Sequence, residues 1–350
     1  MSGVLAPGAA RVVEVLAPGP YATVQDLGRP GLAHLGVPCS GAADADALRL
    51  ANRLVGNLEG LAGIELTFGG ARLAFHAGAW VAVTGADCPL SAAPLDARAA
   101  PAARTPGTAA PGEGASGTAA PGEGVSGTAA PREGASSAAG PGGAGWRAPA
   151  AGAGVPFWVP AGTELRFGTP AWGLRSYLAV RGGVAVEPVL GSRSTDSLSG
   201  LGPEPLRAGT VLPVGPVTGL EPIVADVAPP RGPRPAVLRV LPGPRDDWFA
   251  PGALAELCAE PYTVSQDSNR VGVRLGGREL ARAREGELPS EGMVAGALQV
   301  PPSGQPIVFL ADHPPTGGYP VIAVLVAADL PVAAQLRPGD RVRFTTHRRA

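Results

Sequence analysis

No lysine occurs among the 350 residues, so all 28 basic side chains are arginine. That absence removes several chemistries at once. A P-loop requires a lysine at the end of its glycine-rich turn, and none can be built. A Schiff-base amine and a pyridoxal-phosphate anchor are excluded for the same reason. Biotin is carried on a lysine amine, so no covalently attached biotin is expected on this chain. Cysteine is nearly as scarce. Cys39, Cys88 and Cys258 lie far apart and form no Cys-x-x-Cys pair, which argues against a disulfide scaffold and a zinc site. His34, His76, His313 and His347 never fall at metal-ligand spacing, so no metal site is expected. Net charge is −1 and the only basic tract is Arg348-Arg349, which speaks against a nucleic-acid partner. The longest strongly apolar run, Val321 to Ala328, is far shorter than the roughly 20 residues of a membrane helix. Met1 to Ala10 has neither a basic start nor a long apolar stretch, so no signal peptide is expected. These absences lead to the expectation of a reduced, cytoplasmic protein without membrane contact.

Glycine and proline are abundant instead: 52 and 40 residues, about a quarter of the chain. They concentrate in Ala97–Gly154, where a ten-residue unit recurs as GTAAPGEGAS from Gly107, GTAAPGEGVS from Gly117 and GTAAPREGAS from Gly127. The tract's only large apolar residues are Val125 and Trp146. A segment so poor in apolar surface cannot offset the entropy of ordering. It is therefore expected to be a disordered insertion in a surface loop, which closure entropy tolerates well. Outside it the pattern changes to short runs rich in valine and aromatics, bounded by Gly, Pro or Asp. These predict strands at Arg11–Leu16, Ala71–Phe75, Trp80–Thr84, Thr163–Phe167, Arg175–Val180, Val237–Leu241, Val271–Leu275, Pro306–Leu310, Val321–Val326 and Arg341–Phe344. Helices are few. Ala47, Leu48, Ala51, Leu54 and Val55 recur at helical spacing within Ala43–Val55, before a Gly56-Asn57 stop. Pro331–Leu336 predicts a short helix with Asp329 placed to cap it. Many strands and few helices predict a mainly β barrel or sandwich, with the proline-rich Val227–Pro235 as linker.

Four polar clusters stand out. Thr23-Val24-Gln25-Asp26-Leu27-Gly28-Arg29-Pro30-Gly31 crowds an amide, a carboxylate and a guanidinium around two glycines. An arginine fork beside a carboxylate suits a clamp for a carboxylate- or amide-bearing ligand; the same pair equally suits an Asp–Arg tie holding a loop to the barrel. Gly191-Ser192-Arg193-Ser194-Thr195-Asp196 offers hydroxyls and amides to an anion. Ser265-Gln266-Asp267-Ser268-Asn269-Arg270 forms the third cluster. The fourth, Ala311 to Pro320, places Asp312 and His313 beyond an apolar strand, next to Gly317-Gly318, where a ligand can approach the backbone. Asp26, Asp312 and His313 are the catalytic candidates. Gln25, Arg29, Arg193, Ser194, Asn269, Arg270, Thr316, Gly317, Gly318 and Tyr319 are the candidate substrate contacts. There is no Gly-x-Ser-x-Gly elbow, so a hydrolase of that type is not indicated.

At these same clusters the chain resembles the carboxyltransferase-domain family that includes the C subunit of 5-oxoprolinase and the second subunit of allophanate hydrolase. Urea amidolyase and the antagonist of a sporulation-kinase inhibitor contain a similar module. The likeness runs through TVQDLGRPG, CSGAADADALRLANRLVGN (Cys39–Asn57), IELTFGG (Ile64–Gly70), TGAD (Thr84–Asp87), VRGGV (Val180–Val184) and LGSRSTD (Leu190–Asp196). It continues in LPGPRDDWF (Leu241–Phe249), SNRVGVRL (Ser268–Leu275), PSEGMVAGALQVPPSGQPIVFLADHPPTGGYP (Pro289–Pro320) and AAQLRPGDRVRF (Ala333–Phe344). The resemblance implies two cyclophilin-like β-barrel units, over 11–226 and 236–350, joined by 227–235. It also implies work in a hetero-oligomeric assembly. One partner would be similar to the B subunit of 5-oxoprolinase and another to its A subunit, with ATP consumed by the complex and a small amide or lactam as substrate. In one branch 5-oxo-L-proline is opened to L-glutamate. In another a biotin-dependent carboxyltransferase half acts on urea or a related amide. A third alternative is a regulatory protein that sequesters its B-like partner. The insertion after TGAD and the histidine at position 313 depart from the pattern the family leads one to expect.

The insertion yields the first prediction. Deleting Ala97–Gly154 should leave the melting temperature, read by calorimetry, within a few degrees of the parent; a large loss would show that the tract packs on the fold.

Overall fold

The computed structural model describes residues 11–95, 154–224, 227–228, 232 and 235–347. Residues 97–153 of the insertion expected over Ala97–Gly154, most of the proposed linker and the Arg348-Arg349 tail lie outside the described residues. Gly154, read as the insertion's last residue, belongs to the fold: its amide donates to the Val83 carbonyl and its own carbonyl accepts from Ala228.

The described residues are mostly β with three short α-helices. Its first half supplies β1 (Val12–Pro18), β2 (Tyr21–Gln25), α1 (Ala45–Leu54), β3 (Gly63–Thr67), β4 (Ala71–Phe75), β5 (Ala79–Gly85) and β6 (Leu90–Pro94). After the insertion come β7 (Pro156–Val159), β8 (Thr163–Phe167), β9 (Arg175–Val180) and β10 (Val211–Pro213). They form two five-stranded sheets, β10-β1-β4-β8-β6 and β2-β3-β9-β5-β7. Alternation explains the packing, because successive residues of a strand face opposite sides. Val13, Val15, Leu73, Phe75 and Leu165 from one sheet meet Val24, Ile64, Leu66, Val81, Val83 and Leu178 from the other in a shared core.

The second half supplies β11 (Val237–Pro242), α2 (Ala253–Ala259), β12 (Tyr262–Val264), β13 (Gly272–Gly276), β14 (Glu291–Gly292), β15 (Ala297–Gln299) and β16 (Ile307–Phe309). It ends with β17 (Thr316–Gly317), β18 (Val321–Leu325), α3 (Leu330–Ala334) and β19 (Arg341–Thr346). Seven of these strands close into a barrel in the order β11-β18-β15-β16-β13-β12-β19, sealed by parallel pairing of β19 with β11. Leu238, Val240, Leu298, Val308, Ile322, Val342 and Phe344 fill it.

Several sequence expectations shift in detail. α1 begins two residues later than its apolar pattern suggests, because Asp44 caps it, accepting from the Ala47 amide at 3.0 Å. Asp329 stands at the start of α3 but makes no cap; its carboxylate is taken by the Arg239 fork at 2.7 and 3.0 Å. Tyr21–Gln25, which holds the first residues of the Thr23–Gly31 cluster, is a strand paired along its length with β3. Its polar residues alternate with Ala22 and Val24, which reach the core.

On the first sheet's outer face Arg72 and Arg166 are cross-strand neighbours, and both guanidinium groups fork onto Glu164. Hydrogen bonds from Arg72 and then Arg166 hold the Glu164 carboxyl down from 4.5 to about 2. A depressed carboxyl contributes its full stabilisation above the unfolded value and loses it as pH falls through the folded one. Melting temperature should therefore drop more steeply between pH 4.5 and about 2 in the parent protein than in Glu164→Gln. Parallel slopes would show that the triad adds no net stability.

Candidate functional site

The outer face of β2-β3-β9-β5 carries one polar row, in which Thr23 lies opposite Glu65, Glu65 opposite Tyr177, and Tyr177 opposite Thr84. Four such residues abreast would be poorly placed under a hydrophobic cover. The chain instead lays the capped start of α1 across them. The Ala43 amide donates to Glu65 Oε2 at 3.0 Å, the Asp44 amide to the Tyr177 hydroxyl at 2.7 Å, and Thr84 Oγ1 to the Ala47 carbonyl at 2.6 Å. Tyr177 in turn donates to Glu65 Oε2 at 2.8 Å. Burial first, then the Glu65 and Asp44 carboxylates, push the Tyr177 phenol well above its ordinary range, so it stays a neutral donor.

Into this row the second half inserts Arg270, 3 % exposed, from the turn before β13. Its Nη1 pairs with Glu65, Nη2 donates to the Gly41 carbonyl at 2.5 Å, and Nε and Nη2 grip Asp312 at 2.9 and 3.0 Å. Asp312, fully buried, also accepts from Ser40 Oγ at 2.6 Å, Ser197 Oγ at 2.6 Å and the Ser197 amide at 3.0 Å. Burial works to raise its carboxyl, but Arg270 and the serine hydroxyls outweigh it and hold the group below the ordinary aspartate range.

A second knot adjoins the first. Asp26 Oδ1 accepts from the Gly28 amide at 2.8 Å and from the Ser192 and Ser194 hydroxyls at 2.6 Å, while Oδ2 accepts from the Arg193 amide at 2.6 Å. Arg29 Nη2 donates to the Ser194 carbonyl at 2.6 Å, and Gln25 Nε2 to the Thr195 carbonyl at 2.9 Å. The two knots meet at Ser40, whose hydroxyl lies 3.0 Å from the Thr195 carbonyl and reaches Asp312 on its other side. Gln25, Asp26, Arg29, Arg193, Ser194, Arg270 and Asp312 thus belong to one polar seam.

Other candidates fall elsewhere. Asn269 is exposed and folds its Oδ1 back onto the Val271 amide at 2.8 Å. Thr316 and Gly317 pair with Gly292 and Glu291, and the Tyr319 ring lies under the Arg282 guanidinium at 5.8 Å, with its carbonyl accepting from Gln299 at 3.1 Å. His313 is buried beside the Phe309 ring, and its Nδ1 lies 2.8 Å from the Pro314 carbonyl. A carbonyl only accepts, so Nδ1 carries the proton and Nε2 is the acceptor of the neutral ring. Charged residues in glycine- and proline-marked loops are ordinarily exposed, but Arg29 and Asp312 are buried, because each loop is pressed against another polar segment.

Sequence reasoning passed over Ser40, Asp44, Glu65, Tyr177, Ser197 and Gln335. Glu65 alone has a local signal, as an acid inside the otherwise apolar strand Gly63–Thr67. A separate cavity of about 340 Å³ lies where α3 meets the loops after β5 and β8. Asp44 and Gln335, joined at 3.0 Å, are on its wall; none of the residues picked from sequence lines it. Among the described residues no cluster of His, Cys, Asp or Glu could hold a metal ion, and no helix is long and apolar enough to cross a membrane.

Two sheets and a closed barrel, locked by the buried ion pair between Glu65 on β3 and Arg270 on the barrel turn, describe a two-part β module. The chain belongs to the family described as carboxyltransferase domain, subdomains A and B, which matches residues 35–113 and 142–346. It is 34 % identical to the C subunit of 5-oxoprolinase from Escherichia coli K12 over 95 % of this chain and 90 % of that protein. It is 31 % identical to the urea amidolyase of Lachancea kluyveri, again over 95 % of this chain but only 17 % of that one. The crystal structure of the K. lactis urea amidolyase superposes with a TM-score of 0.73 at 27 % identity, covering 97 % of this chain and 19 % of that chain.

Removing one partner from a buried ion pair strands the other charge, at a cost of about 3–5 kcal/mol. Arg270→Met should therefore lower unfolding free energy in urea by about that amount, because Asp312 loses its arginine and Glu65 keeps only the longer Arg175 contact at 3.6 Å. A loss below about 1 kcal/mol would mean that the seam is hydrated and mechanically unimportant.

Proposed function

We propose that this chain is one subunit of an ATP-dependent 5-oxoprolinase, hydrolysing 5-oxo-L-proline to L-glutamate with B-like and A-like partners. The observation that carries this reading is coverage. Likeness extends over 90 % of a free-standing relative named as the 5-oxoprolinase C subunit, whereas the urea amidolyase relative is matched over only 17 % of its length. The chemistry asks for activation of the lactam. The carbonyl oxygen attacks the terminal phosphorus of ATP and displaces ADP; one water adds at the activated carbon, the ring C–N bond breaks with a proton passing to the nitrogen, and a second water hydrolyses the resulting acyl phosphate to the carboxylate and free phosphate. This chain has no lysine, so any lysine on the ATP phosphates comes from a partner.

Within that scheme the proposed catalytic residues take different parts. Asp26 and Asp312 have their oxygens filled by donors, which supports positioning roles in which they hold the Ser192–Ser197 segment and Arg270. His313 retains an accepting Nε2, the atom suited to take a proton from water. The proposed contacts Gln25, Arg29, Arg193 and Ser194 share one cluster, which suits a small ligand. The second reading, a biotin-dependent carboxyltransferase half acting on urea or a related amide, is supported by the urea amidolyase relatives; the biotin would be carried on another chain.

Reconstitution separates the two. The chain mixed with its B-like and A-like partners should form glutamate from 5-oxo-L-proline with ATP consumption, and should form none alone. Full activity of the isolated chain would overturn the multi-subunit reading, and carboxylation of urea dependent on added biotin carrier, without glutamate formation, would put the second reading first.

A further inference from the structure

Arg29 is 2 % exposed, yet among the described residues no carboxylate pairs with it. Its hydrogen bonds go to two carbonyls: Nη2 to Ser194 at 2.6 Å, and Nε to Val189 at a long 3.4 Å. Nη1 is buried and has no partner. The neighbouring acid, Asp26, is already saturated by two hydroxyls and two amides. A buried charge is normally paired, since desolvation without compensation is costly. Two further orphans belong to the same knot. Gln25 must turn its NH2 toward the Thr195 carbonyl, which only accepts, so its Oε1 is fixed as a free acceptor; Thr195 Oγ1 is free as well. Three buried polar atoms without partners in one knot call for an explanation, and a bound polar guest supplies one.

We propose that Arg29 anchors the carboxylate of a small ligand and that Gln25 Oε1 accepts an N–H from the same molecule. A carboxylate next to a secondary amide is the substrate class this pair selects. The assignment to 5-oxo-L-proline rests on the function proposed above. Thr195 Oγ1 supplies either a donor or an acceptor to the guest. The segment that Arg29 opens, 29–40, is the proposed way in. Its neck is closed by Arg29 N to Cys39 O at 2.8 Å and Ala42 N to Asp26 O at 2.9 Å, between Gly28 and Gly41, both at positive φ. A Cβ on Gly28 would stand 2.5 Å from the Cys39 carbonyl, so the neck admits only glycine there. The tip, by contrast, bonds to itself: Leu35, Gly36 and Val37 amides donate to Leu32, Ala33 and Leu32 carbonyls. Leu35 is 65 % exposed. Among the described residues the tip, 31–37, makes its hydrogen bonds within itself, so it can move without breaking one to the sheets.

Calorimetric titration of the full chain with 5-oxo-L-proline, 2-pyrrolidinone and inorganic phosphate tests the pocket. Binding of 5-oxo-L-proline should be at least about tenfold tighter than that of 2-pyrrolidinone, which lacks the carboxylate, and about tenfold weaker in Arg29→Lys, which keeps the charge and loses the fork. Gln25→Leu should weaken it similarly. Equal binding of the lactam without its carboxylate, or phosphate binding as tight as 5-oxo-L-proline, overturns the proposal. The comparison of ligands on the parent protein stands even where a variant fails to fold. In the reconstituted assembly, glutamate formation with KM unchanged in Arg29→Lys would defeat the pocket and spare the function. Arg29-dependent binding without any glutamate formation would do the reverse.

Discussion

Arg270 is held between Glu65 and Asp312, two buried carboxylates that come from the two halves of the chain. The guanidinium leaves water at a large desolvation cost, and the two acids restore its charge by more than burial removes. A contact of this kind is a poor source of net stability, because much of the Coulomb energy only offsets desolvation. Its effect is on geometry. A sheet row of Thr23, Glu65 and Tyr177 and a barrel turn carrying Arg270 can meet in one arrangement that leaves no charge unpaired, and every displaced arrangement strands at least one.

Other ties follow from that fixed geometry. Gln335, after α3, donates to the Asp44 carboxylate and accepts the Leu174 and Arg175 amides. Arg175 reaches the Ala334 carbonyl, and Arg337 reaches Gly173 and Pro170. Fork-shaped donors suit this work, since one guanidinium can satisfy several carbonyls and acids in a plane. A chain that uses arginine as its only base is well supplied with them.

Burial also changes the meaning of the candidate site. Carboxylates filled by four or more donors are poor proton carriers and good struts, so Asp26 and Asp312 hold segments in place. Atoms with spare capacity are more telling: the Nε2 of His313, the Nη1 of Arg29, the Oε1 of Gln25. The last two adjoin the serine-bearing segment at Ser194 and Thr195.

The strand positions were legible because alternation of apolar residues is local: Ala71–Phe75, Thr163–Phe167 and Arg175–Val180 coincide with β4, β8 and β9. The α1 stripe and its Gly56 stop were equally visible. Strands of two or three residues, such as Glu291–Gly292 and Ala297–Gln299, are too short to show a period, and α2 lacks a capping side chain to announce it. Within the site, the polar clusters around Asp26, Ser194, Arg270 and Asp312 could be picked out by residue type. Their partners could not. Ser40 and Asp312 are 272 positions apart, and Arg270 and Glu65 are 205. Pairing over such distances depends on how sheet and barrel dock, which no local pattern encodes. From the residues alone follow the β class, the chemistries closed to a chain without lysine, and which loops carry charge. Which of those charges are spent on one another, and which remain free, is settled only in the folded arrangement, because a side chain's ionic role is set by what is buried against it.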